Sequence, residues 1–195
     1  MKVLFLLGMY YPRYSANGLC CKNVIDACIE RGWSVSCVVN SYQGSINPYD
    51  LDGARIYPIR PRLTYRIFEW CEIHKSSRVC DFIYSVGVLL NKLKLAFFSF
   101  SWPYISPAYT RAFYKKAKSL YASDRFDLVV SAYTPIDSLY AGCKLKKKFP
   151  EIKFAAYYLD ALAGGWGPVR WSNEKKDRRL RKWEKRIAER ADMLI

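Results

Sequence analysis

Three short segments of this 195-residue chain hold the side chains best suited to chemistry, and each follows an apolar run. The first, Gly8 to Gly18, is rich in aromatic and small residues and closes on Asn17-Gly18. Free backbone N–H groups at a helix start, with the positive end of its dipole, suit a phosphate oxygen, and glycine permits close approach. Asn-Gly is equally an ordinary turn and cap. The second segment, Ala132 to Asp137, offers Tyr133 as a hydroxyl or stacking face for a sugar. Its Thr134 serves either a ligand or, more simply, the cap of the next helix. The third runs from Asp160 to Gly167 and starts with a carboxylate at the end of KFAAYYLD. Such a carboxylate can accept a hydrogen bond from a substrate hydroxyl, or merely cap the following turn. The ALAGGWG stretch after it has the composition of a mobile active-site loop, in which Trp166 could cover a ligand.

The elements that must present these segments are legible from periodicity. KVLFLL (Lys2 to Leu7) reads as a buried strand, followed by a helix ending at Arg31-Gly32 and a second strand from Ser34 to Asn40. Strand, helix and parallel strand make a βαβ unit. The helix is expected to bury Cys20, Val24, Ala27 and Cys28, with Gly32 as its stop. DLVVS (Asp127 to Ser131), a helix through Lys148, and a strand over Lys153 to Asp160 repeat the alternation. The expected fold is α/β, a Rossmann-like doubly wound parallel sheet flanked by helices, with its binding loops at the carboxyl ends of the strands. Ile56 to Ile59 reads as a short edge or irregular strand because of Pro58. Asn173 to Arg190 reads as a charged helix with Leu180, Trp183, Ile187 and Ala191 as its apolar stripe. The final ADMLI looks like a strand cut short, which predicts that the chain is the front part of a longer polypeptide.

Composition narrows the partners. A formal charge of +15 biases the chain toward polyanions: nucleic acid, anionic lipid or phosphorylated substrates. Seven cysteines without a C-x-x-C pair argue against a disulfide framework or thiolate metal site and for a reducing, cytoplasmic setting. The lone histidine, His74, lacks metal-site partners, and no metal is expected. From Tyr65 to Lys118 the chain is aromatic, basic and helical in pattern, broken at Trp102-Pro103 and Ser106-Pro107. Its apolar part, Val86 to Ile105, carries Asn91, Lys92 and Lys94, which are costly in hydrocarbon, so an interfacial or buried helix is expected rather than a span. The Lys175 to Arg190 helix interleaves acids with its bases, and no nucleic-acid motif accompanies it, so nucleic acid is a disfavoured partner.

In order and spacing these motifs resemble the N-terminal half of a GT-B glycosyltransferase, most closely glycosyltransferase family 4. That family opens with a strand, a YPP-like loop with a glycine pair, a helix and an rGhxV entry to the second strand; here stand KVLFLL, YYPRYSANG and ERGWSV. DLVVSAYTP is similar to its strand and Ser/Thr-Pro loop, KFAAYYLDALAGGW to its strand and Asp-containing loop. RKWEKRIAERADMLI is similar to its E-x6-AD-x-x-I passage through Glu184 and Ala191-Asp192. Tyr42 to Ser123 lies outside the likeness. Asn17 replaces the first of the paired glycines, and Leu159 stands where arginine is often found.

The resemblance implies a retaining transfer of sugar from a nucleotide-sugar, a co-substrate rather than a cofactor, to an acceptor hydroxyl in surface polysaccharide or glycolipid assembly. It implies an acceptor-side domain over 1–195 with a helical aromatic and basic insertion at about 64–122, the donor-binding domain being absent and the chain alone inactive. Gly18 would lie beside the donor diphosphate and Asp160 would orient the acceptor or reacting sugar; Asn17, Tyr133, Thr134 and Trp166 complete the expected substrate contacts. The cationic middle suits a lipid-linked acceptor at the inner, anionic membrane face. The competing reading is a non-catalytic basic α/β module for an anionic partner. A nicotinamide enzyme is disfavoured, since the first loop lacks G-x-G-x-x-G and no acidic residue closes the second strand.

Overall fold

In a computed structural model, strand and helix alternate as the sequence pattern requires. It describes residues 1–10, 16–41, 44–75, 78–97, 102–133, 135–159, 167–168 and 170–195. The strands are β1 (Lys2–Leu6), β2 (Ser34–Asn40), β3 (Tyr49–Leu51), β4 (Ala54–Ile59), β5 (Leu128–Tyr133), β6 (Lys153–Tyr158) and β7 (Met193–Leu194). The helices are α1 (Ala16–Glu30), α2 (Leu63–Ile73), α3 (Arg78–Phe97), α4 (Pro107–Ser123), α5 (Ile136–Lys148) and α6 (Asn173–Ala188). One sheet of order β3-β4-β2-β1-β5-β6-β7 results, parallel throughout except for the β3–β4 hairpin.

β1 is central and covered on both faces, which is why Val3 to Leu6 form an unbroken apolar run. Its odd residues, Val3 and Phe5, pack with Val35, Cys37 and α1, while Leu4 and Leu6 pack with α4 and α5. Burial of each such side chain is worth about 1.5–3 kcal/mol. Helix α1 buries Gly18, Cys21, Ile25 and Cys28, not the expected Cys20, Val24 and Ala27. Both sets have helical spacing, and the buried one carries Ile25 and sets Ile29 against the same core cluster. Gly32, at φ +72°, stops the helix in a Schellman turn: its N–H bonds to Ile29 O at 2.8 Å and that of Trp33 to Cys28 O at 3.1 Å.

The strand at Ile56 to Ile59 is internal, a correction to its expected edge position. Pro58 is tolerated because β3 pairs with β4 only from Ala54 to Ile56, leaving one flank of Pro58 open. Asp52 and Gly53, both at positive φ, make the two-residue turn between β3 and β4, the conformation that matches hairpin twist. Ser106 caps α4 by accepting from Tyr109 N–H, with Pro107 in the first turn. Phe113, Ala117 and Tyr121 of α4 belong to the core, whereas α2 and α3 pack chiefly on each other.

Candidate functional site

The chain moves from β1 to β2 and β4 on one side and returns to β5, β6 and β7 on the other. β1 and β5 therefore flank the topological switch point, where the connections leave a crevice beyond the carboxyl ends. Gly18 is buried in the first turn of α1 with Asn17 half-buried beside it, on the α1 face. Tyr133, the last residue of β5, lies in register with Tyr158 of β6 and packs toward the α4–α5 face. The two share the carboxyl edge but approach it from opposite faces of the sheet. Thr134, Asp160 and Trp166 lie outside the described residues.

A polar cluster that sequence reasoning missed occupies this edge on the α4–α5 side. Its hub is Asp137, in the first turn of α5, with a side chain wholly shielded from solvent. Its carboxylate accepts from the Arg62 guanidinium, from Ser106 N–H at 2.8 Å and from Thr110 Oγ1–H at 3.3 Å. Burial pushes the Asp137 carboxyl up, and these three donors act against that rise. Arg62, just past β4, lies 5.5 and 5.4 Å from the rings of Tyr104 and Tyr109. The Tyr109 hydroxyl donates to Asn40 Oδ1 at the tip of β2, and burial drives its ionisation far above the ordinary range. Lys94 of α3 reaches across to the Tyr104 ring, Nζ 4.2 Å from its centroid. Burial, followed by the charge of Arg62, holds its ammonium below the usual lysine range against the pull of Asp137.

Two cations thus face one carboxylate whose lone pairs are already engaged. Among the described residues, Arg62 Nε and Trp102 Nε1 are buried and have no hydrogen-bond partner. A buried donor left unpaired costs about 1–3 kcal/mol; what suits this edge to an anion is the pair of cations, Arg62 and Lys94, beside the Tyr104 ring. The sequence signals were the Arg-Pro-Arg after β4 and the Asp at the start of α5.

A second cationic feature lies elsewhere, a cavity of about 770 Å³ between α4 and α5 lined by Arg111, Tyr114, Lys144, Lys147 and Lys148. Asp192, matching the AD of the sequence motif, is structural. It accepts from Phe154 N–H at 2.7 Å and pairs with Lys146 Nζ at 2.8 Å, pinning β7 to β6. Among the described residues, no group of three or more His, Cys, Asp or Glu side chains could hold a metal ion.

No protein-family model matches the chain, and no curated protein matches its sequence. Among solved structures, an alpha,alpha-trehalose 6-phosphate synthase from Burkholderia multivorans is similar to it at 14% identity and a TM-score of 0.48. The match covers 99% of this chain and 38% of that one, so the chain spans well under half of that enzyme's length.

Proposed function

We propose that this chain is the acceptor-side half of a GT-B glycosyltransferase. The observation that carries the reading is the adjacency of β1, β5 and β6 at a switch point, because Tyr133 ends β5 while Gly18 and Asp160 lie in the sequence just after β1 and β6. The ordered sequence motifs and the surplus of cation beside Tyr104 support it. In this reading Asp160 accepts a hydrogen bond from the acceptor hydroxyl and orients it toward the sugar of a nucleotide-sugar, and Trp166 covers the site. Arg62 and Lys94 hold an anionic group on the acceptor, such as the phosphate of a lipid-linked sugar. Asp137 keeps the guanidinium in place. Groups that neutralise the departing nucleotide diphosphate belong to another domain, so the chain by itself turns over no substrate.

The test is calorimetric titration of the chain with inorganic pyrophosphate and with a short-chain polyprenyl diphosphate sugar. Arg62→Met and Lys94→Met should each weaken the lipid-linked ligand by roughly tenfold or more, as expected for a charge-assisted hydrogen bond. Affinity should fall as pH rises through the lowered ionisation of Lys94, sooner than for an ordinary lysine. Equal affinities for wild type and both variants would overturn the reading.

The groove of Arg111, Lys144, Lys147 and Lys148 favours a second reading, a non-catalytic module for a polyanion. Steeply salt-dependent binding of nucleic acid, with sequence preference and loss on Lys144→Glu/Lys147→Glu, would decide for it.

A further inference from the structure

Helix α3 carries two apolar stripes where a surface helix needs one. Cys80 and Gly87 face α2, and Gly87 allows a close approach there: a Cβ on it would stand 3.0 Å from Ile67 Cγ2 and 3.3 Å from Phe68 Cε1. On the outer side Val79, Phe82, Val86, Leu89, Leu93 and Phe97 repeat at helical spacing, and all are exposed. Phe82 and Phe97, near the two ends, are 69% and 70% exposed. Leu63 and Ile73 of α2 add exposed apolar surface to the same hairpin. A row of this length in water is unfavourable unless something covers it.

The charges around the row indicate what does. Between Leu63 and Phe97 there are five cations, Arg66, Lys75, Arg78, Lys92 and Lys94, against three carboxylates, of which Glu69 is buried. The whole chain carries +15. An apolar stripe flanked by Lys and Arg matches the boundary between headgroups and acyl chains of an anionic bilayer. Among the described residues no helix is long and apolar enough to cross a membrane, so the helix would lie in the interface plane. The same helix extends Lys94 to the Tyr104 ring at the edge of the cleft.

We infer that the α2–α3 hairpin is a docking surface for an anionic lipid bilayer, with the outer stripe of α3 seated among the acyl chains. The inference deepens the acceptor-side reading, since it sets the cleft against the surface that would supply a lipid-linked acceptor. Its test does not depend on that reading.

Flotation of the full chain with phosphatidylcholine vesicles, with and without a minority of phosphatidylglycerol, measures the partition directly. Wild type should float only with the phosphatidylglycerol vesicles and be released by high salt. Phe82→Ser/Leu89→Ser/Leu93→Ser should reduce partition at least roughly tenfold, given several buried methylenes lost per substitution. Arg78→Glu/Lys92→Glu should do the same while leaving pyrophosphate affinity at Arg62 and Lys94 unchanged. Circular dichroism of each variant separates lost binding from lost fold. No flotation of wild type, or equal flotation of wild type and both folded variants, would overturn the inference. So would a dimer in light scattering that the triple variant dissolves without any vesicle binding, which would make a second copy the occupant.

Discussion

Arg62 and Asp137, 75 residues apart in sequence, meet across the carboxyl edge of the sheet and join the end of β4 to the start of α5. The carboxylate is wholly shielded and the guanidinium largely so. Removing Arg62 strands a buried charge, whereas removing both partners strands only neutral donors, the Ser106 N–H and the Thr110 hydroxyl. Arg62→Met should therefore destabilise by about 3–5 kcal/mol in urea unfolding, and Arg62→Met/Asp137→Leu by clearly less. The sign with pH follows from the raised carboxyl of Asp137. A folded-state value above the unfolded one gives a contribution fully present below the ordinary carboxylate range and lost as pH rises through the folded value. Arg62→Met, which removes the principal opposing charge, should lose stability over a wider pH interval than wild type.

Asp192 behaves oppositely. Burial resists its ionisation, but the Lys146 ammonium and Phe154 N–H outweigh it and hold the carboxyl below the usual range. Its contribution is present above about pH 4 and disappears as pH falls through the lowered value. Asp192→Asn should lower the melting temperature at neutral pH and flatten the acid limb of a melting-temperature profile. An unchanged acid limb would assign acid unfolding to other carboxylates.

Gly142 lets α5 lie directly on β5 and β6. A Cβ there would stand 2.4 Å from Ser131 Oγ and 2.5 Å from Phe154 Cε2, both in the sheet behind it. Gly142→Ala should cost about 1–3 kcal/mol despite the better helix propensity of alanine. Trimming the obstacle in Gly142→Ala/Phe154→Leu should recover part of that loss, read as the urea midpoint.

The sheet was largely legible because its strands are buried on both faces. β1, β2, β5 and β6 appear as apolar runs that need no partner to be recognised, and Gly32 marked the end of α1. β3 and its Asp52-Gly53 turn went unread, since three half-exposed residues carry almost no periodic signal. The cluster around Asp137 was hidden for a different reason. Asn40, Arg62, Lys94, Tyr104 and Asp137 are brought together by crossovers, and no local spacing encodes a crossover. The carboxyl ends of β1 and β5, from which the expected loops leave, do share one edge, but the sequence did not reveal that Gly18 and Tyr133 stand on opposite faces.

Six of the seven thiols are inside the protein, and only Cys20 meets solvent. Burial pushes Cys21 up to about 12 and Cys143 up to about 11, so neither is a ready nucleophile at neutral pH. Cys20 sits on the outer side of α1, two residues past Gly18. The native chain thus comes with a single maleimide handle beside its first loop, where an attached dye would report ligand arrival without any engineered cysteine.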